Sequence, residues 1–178
     1  MNIILAILIV IVSLIVLLLI IGLFTKRHYA VSREIVINKP VEQVFDYLRL
    51  QKNQEQFNKW VMTDPNKKVE IRGIDGTVGS VYTWSGNKQA GEGEVEIMQL
   101  KENQQIDTQV RFVRPFTSSA NITFLTTPVS SGQTRIHWGF TSTMKYPMNI
   151  MLVLMGMEKL LGRDMEKSLG NLKTILEG

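Results

Sequence analysis

The chain has 178 residues, with 20 lysines and arginines against 16 acidic residues and no cysteine. That length allows a single core or a single enclosed cavity, and the missing cysteines exclude disulfide frameworks, thiolate metal sites and cysteine nucleophiles. Part of the net charge of +4 is Lys26 and Arg27 beside an apolar run; the remainder is nearly neutral, so no nucleic-acid partner is expected.

From Ile3 to Phe24 no residue is charged, and only Ser13 and Gly22 interrupt the apolar side chains. As a helix this run spans roughly 33 Å, enough to cross a hydrocarbon core of about 30 Å. A signal peptide would need a basic start, a shorter apolar core and a small-residue cleavage site. Here Asn2 alone lies between Met1 and the run, and Thr25-Lys26-Arg27 is no cleavage site. The expected division is therefore a transmembrane anchor over 1–25, with residues 3–24 in the membrane, and a folded domain over 26–178. Lys26, Arg27 and Arg33 follow the run with nothing comparable before it, so the positive-inside rule predicts a single-pass membrane protein with its domain in the cytoplasm. A linker of about five residues reaches at most about 18 Å, which would hold the domain against the headgroups.

Tyr29 to Asn38 alternates with a period of two and is rich in β-branched residues, which predicts a strand. Pro40 suits a helix first turn, and Val41, Val44, Phe45 and Leu48 follow at helical spacing. A second short helical piece is predicted over Gln51 to Lys59, closed by Trp60. From Lys67 to Met144 the period returns to two. Six strands are predicted, over 67–73, 79–85, 91–101, 105–113, 118–127 and 133–144, separated by turn residues. Short turns between neighbouring strands imply an antiparallel meander.

The alternation is one-sided. Ile106, Thr108, Val110 and Phe112 share a face, as do Ile122 and Phe124, and Ile136, Trp138 and Phe140. Their opposite faces carry Asp107, Gln109, Arg111, Asn121, Thr123, Arg135 and His137. The apolar face needs a cover. Met148 to Leu176 supplies a helical period, with Leu161, Met165, Leu169, Leu172 and Leu176 forming a stripe. Unbroken, this helix would run about 43 Å.

The fold class is thus α+β: a curved antiparallel sheet of about seven strands and a long C-terminal helix, preceded by one transmembrane helix. This order, with the stretches Ser32–Phe45, Gly76–Ser80 leading to Trp84, Gly91-Glu92-Gly93, Arg114-Pro115-Phe116, Thr134–Trp138 and Leu169–Lys173, resembles the SRPBCC/START-like helix-grip superfamily. That superfamily contains birch pollen allergen, steroidogenic lipid-transfer domains and polyketide cyclases. The chain is most similar to the bacterial polyketide cyclase/dehydrase-like branch, over about residues 29–177.

Little in the pattern carries catalysis. His28 and His137 stand alone, without the ligand set that a metal needs, and the iron-binding relatives implied by the resemblance need more histidines and carboxylates than these positions supply. No cofactor is expected. Gly73–Gly79 lies between strands rather than before a helix, unlike a phosphate loop. Glu92, Glu94 and Glu96 share a strand face and read as its wet side. What remains is an apolar inventory that the resemblance places around a cavity between sheet and C-terminal helix: Tyr82, Trp84, Thr108, Val110, Phe112, Ile122, Phe124, Trp138, Phe140, Met151, Met155, Leu161 and Met165. Methionines and aromatics suit varied apolar shapes. The expected function is a membrane-anchored binding domain for a hydrophobic small molecule or lipid. The alternatives are a polyketide cyclase/dehydratase-like enzyme, which would need an inward acid or base, and a protein-interaction domain with a filled core. The oligomeric state is left open.

Overall fold

The computed structural model describes residues 2–178. Helix α1 runs from Ile3 to Phe24. It is long and apolar enough to cross a membrane, and the most apolar stretch of it is not covered by the rest of the chain. Gly22, in its last turn, is buried.

Seven strands form one antiparallel sheet in the order β1-β7-β6-β5-β4-β3-β2. They are β1 (His28–Ile37), β2 (Lys68–Arg72), β3 (Val81–Ser85), β4 (Glu92–Lys101), β5 (Gln105–Arg114), β6 (Ser118–Ser130) and β7 (Gln133–Thr143). All but one pairing is a hairpin between sequence neighbours, as short turns require. The exception brings β1 back beside β7, in register from His28 opposite Thr143 to Ile37 opposite Thr134. The period-two reading is realised: Ile106, Val110, Ala120, Phe124, Ile136 and Trp138 are buried on the inner face. On the outer face Arg111 bridges Glu94 (2.7 Å) and Glu96 (2.6 Å), and Arg72 reaches Glu94 (3.0 Å). Hydrogen bonds to Glu96 and Glu94 hold the Arg111 guanidinium above its usual pKa, so this strand face is an ion-pair lattice.

Between β1 and β2 lie α2 (Val41–Arg49), a 3-10 turn over Gln51–Asn53, α3 (Gln54–Phe57) and a 3-10 turn over Val61–Thr63. α2 seats Val44, Phe45 and Leu48 in the core.

The C-terminal segment departs from the expected continuous helix. Gly156 adopts left-handed backbone (φ 55°) and separates a short α4 (Met151–Leu154) from α5 (Met157–Glu177). Only glycine takes this conformation cheaply, so the break is written in the sequence at one residue. α5 lies along β1. Arg33 Nε donates to Glu166 (2.5 Å), Lys173 Nζ to the Val36 carbonyl (2.8 Å), and Asn38 N–H to Glu177 (2.6 Å). Its buried stripe is Met165, Leu169 and Leu172.

Candidate functional site

The sheet is covered in two halves by different parts of the chain. Over β1, α5 packs tightly, its stripe joining Val44, Phe45, Phe57 and Ile136 in a closed cluster. Lys59 N–H donates to Ser168 Oγ (3.0 Å) and Asn171 Nδ2 to the Phe57 carbonyl (3.1 Å), which fixes α5 against the 51–60 segment. Over β3 to β7 the cover is instead the 48–67 segment, and there the packing opens into a cavity of about 340 Å³.

Of the residues singled out in the sequence, Tyr82, Trp84, Thr108, Val110, Phe112, Ile122, Phe124, Trp138, Phe140 and Leu161 line this cavity. Met151, Met155 and Met165 do not. Met165 is sealed in the core, whereas Met155 is exposed and Met151 partly so. The reason is the break at Gly156, which takes α4 away from the sheet, and the tight seat of α5. The cavity therefore does not lie under the C-terminal helix as expected; Leu161 is that helix's single lining residue.

The aromatic wall is ordered by edge and stacking contacts. Phe124 stacks on Trp138 (centroids 5.1 Å apart), Trp60 meets Trp138 and Phe140 edge-on (5.6 and 5.9 Å), and Trp84 meets Phe112 edge-on (5.9 Å). Gly93, in register between Trp84 and Phe112, makes room for the indole: a Cβ there would sit 2.5 Å from Trp84 and from the Arg111 carbonyl.

Most polar lining groups come from the covering segment: Arg49, Gln51, Gln54, Asn58, Thr63 and Lys67. Lys67 is the unexpected one. Its side chain is only 5% exposed, and its one carboxylate partner is Glu55 at 3.5 Å. Glu55 also accepts from the Tyr82 hydroxyl (3.0 Å). Burial first, and the Glu55 carboxylate second, hold the Tyr82 phenol protonated well beyond its ordinary range. Three buried polar atoms of lining residues have no hydrogen-bond partner among the described residues: Trp138 Nε1, Gln51 Oε1 and Arg49 Nε, the last lying 2.9 Å from the Asp46 carboxylate. Such orphans are rare in native interiors. Sequence reading missed this polar set, because residues 48–67 are largely polar and show no period over their second half. Val95, Ile97 and Ile106 were legible as inward but were not assigned to the site. Among the described residues no cluster of His, Cys, Asp or Glu could hold a metal.

An incomplete antiparallel half-barrel gripping a helix, with a lined hollow on its concave side, defines a helix-grip protein. Residues 28–177 match the family described as polyketide cyclase / dehydrase and lipid transport, and the chain belongs to that family. No curated protein matches the sequence. Among solved structures the chain is similar to norcoclaurine synthase from Thalictrum flavum, solved with dopamine and hydroxybenzaldehyde, at 14% identity and a TM-score of 0.62, covering 89% of this chain and 92% of that one. It is also similar to Aha1 from Colwellia psychrerythraea (19%, TM-score 0.57, covering 84% and 96%), and to a Chromobacterium violaceum protein (13%, TM-score 0.59, covering 84% and 97%). At these identities the likeness carries the fold alone.

Proposed function

We propose that this protein is a membrane-anchored binding module for a hydrophobic small molecule or lipid, held in the cavity between β3–β7 and the 48–67 segment. The observation that carries the reading is the cavity itself: about 340 Å³ of space, apolar on the sheet side, with Lys67, Gln51 and Tyr82 on its polar side. A volume of this order falls at the small end of ligand sites, which range over about 300–1,000 Å³. The guest is accordingly compact and amphipathic: an apolar body against Phe112, Phe124 and Trp138, and acceptor atoms toward Lys67. Each buried methylene is worth about 0.8 kcal/mol from water but far less from lipid, so selection rests on shape and on those polar groups.

Residues 1–25 form the anchor and 26–178 the domain in this reading. A span uncovered along its most apolar stretch, followed after Thr25 by Lys26 and Arg27, supports a single pass with the domain on the cytoplasmic side. Titration of the full chain in detergent with an environment-sensitive naphthalene probe tests the binding reading. Saturable one-to-one enhancement that Ile122→Trp abolishes is expected, with an unaltered circular dichroism spectrum. Equal binding by that cavity-filling variant would place the probe elsewhere and refute the site.

One observation favours a second reading. Lys67 is a hydrogen-bond donor at the polar wall, 3.5 Å from the Glu55 carboxylate that accepts from Tyr82, and could polarise a ligand carbonyl as a cyclase would. Turnover of an enolisable polyketone that Lys67→Met abolishes would establish that reading.

A further inference from the structure

The end of the sheet nearest α1 carries an apolar rim that neither the core nor the cavity uses. α1 ends at Phe24 and β1 begins at His28. Beside that junction Met144 N–H donates to the Arg27 carbonyl (2.8 Å), so the chain leaving β7 returns to the helix end. It then folds onto α1. The Tyr146 ring lies 3.4 Å from where a Cβ at Gly22 would be. Asn149, fully buried, donates through Nδ2 to the carbonyls of Gly22 (2.7 Å) and Thr25 (2.9 Å). The last carbonyls of a helix lack intrahelical partners, and here a side chain from far along the chain provides them. The 146–150 turn is thereby pinned at the level of the last turn of α1.

The chain that follows this pinned turn is apolar and uncovered. Val153, Leu154 and Met155 are 63%, 59% and 52% exposed, and Met148 is 47% exposed. Phe116, 69% exposed, lies at the same end of the sheet, because the start of β6 pairs with the end of β7 (Ala120 opposite Ser142). In sequence Lys145 and Lys159 flank this stretch, Lys26 and Arg27 precede the strand beside it, and Glu158 is the one acid between Met144 and Gly162. Exposed apolar side chains fringed by cations, continuous with a helix fit to cross a membrane, match a lipid interface in chemistry.

We propose that Met148–Met155, with Phe116, is a second membrane contact: an interfacial ridge seated at the headgroup–acyl boundary of the bilayer that α1 crosses, with Lys26, Arg27 and Lys145 at the phosphates. This rests on the reading of α1 as an anchor. The ridge would fix the domain's tilt and keep one end of the sheet on the membrane. The exposed lining residues Thr63 and Gln89 lie in the connections at that same strand end, so part of the cavity lining shares the end of the sheet beside α1.

The chain has no cysteine, so single labels are clean. Full-length Leu154→Cys, Leu14→Cys and Gly132→Cys, each carrying an NBD fluorophore, are reconstituted in phosphatidylcholine/phosphatidylglycerol vesicles with a nitroxide on the acyl chain near the headgroup or at its end. Gly132 sits in the turn between β6 and β7, at the far end of the sheet. The proposal expects blue-shifted emission at Leu154, quenched several-fold more by the shallow nitroxide than Gly132, while Leu14 is quenched by the deep one. Quenching at Leu14 with unshifted emission at Leu154 overturns the ridge and leaves the anchor standing. Absence of quenching at Leu14 overturns the anchor and the ridge with it. A blue shift at Leu154 that vanishes on dilution, with disulfide crosslinking of unlabelled Leu154→Cys chains, assigns the ridge to a second copy and also overturns the proposal.

Discussion

Tyr82 shows how one side chain serves both fold and site. Its ring is buried in the cavity wall and its hydroxyl donates to Glu55. Because the folded pKa is raised from its ordinary 10.0, the stabilisation it brings is fully present below that value. It is lost as pH rises above it, where the unfolded chain releases the proton first. Tyr82→Phe should remove that alkaline loss and cost about 1 kcal/mol at neutral pH, read by urea melts across pH. Glu177 has the opposite sign. Its carboxylate accepts from the Asn38 N–H and pairs with Lys173, which lowers its pKa from 4.5. Its contribution is present above that value and fades as pH falls below it; Glu177→Gln should flatten the acid limb of the same melts. Alternation puts Trp138, Phe124 and Thr108 on the inner face, and the resemblance is what turns that face into a cavity wall. Lys67 and Gln51 could not be placed, since a polar residue in an aperiodic stretch carries no sign of which way it faces.

At the scale of elements, the two halves of the cover have different roles, and substitutions separate them. Leu169 belongs to the sealed half, so Leu169→Ala should cost about 2–5 kcal/mol of stability while the folded protein keeps its probe affinity. Weakened binding without lost stability would return the cavity to α5. Gly93 allows Trp84 to cross β4, and a methyl group there meets the indole and a backbone carbonyl. Gly93→Ala should therefore lower the melting temperature and perturb the Trp84 emission; unchanged emission would contradict the packing derived for that wall. Asn149 ties the 146–150 turn to α1 through two hydrogen bonds. Asn149→Leu should cost about 1–3 kcal/mol and speed proteolysis after Lys145, measured on the reconstituted chain. The strands were legible within a few residues, because a half-solvated sheet forces alternation. The length of the final helix was not. The hydrophobic stripe continues past Gly156 in sequence, and only the left-handed backbone there divides α4 from α5.

At the scale of the whole molecule, an apolar helix and a helix-grip domain meet through three residues, Thr25 to Arg27. The domain cannot roam. In the proposed reading, a guest of the cavity is exchanged in the neighbourhood of that helix. The fold could be read from the order of periods along the chain, and the existence of a hollow from the fold's resemblance. Its position over β3–β7 depended on where α5 packs tightly, which is a property of three-dimensional fit.

The account depends on a guest occupying that hollow. Native mass spectrometry of the full-length protein in gentle detergent, beside Ile122→Trp, measures this directly. A reproducible small apolar adduct on the wild-type chain, absent from the variant and recovered in its lipid extract, is the predicted result. A wild-type chain that carries no adduct and takes up none from a total membrane lipid extract would contradict the account.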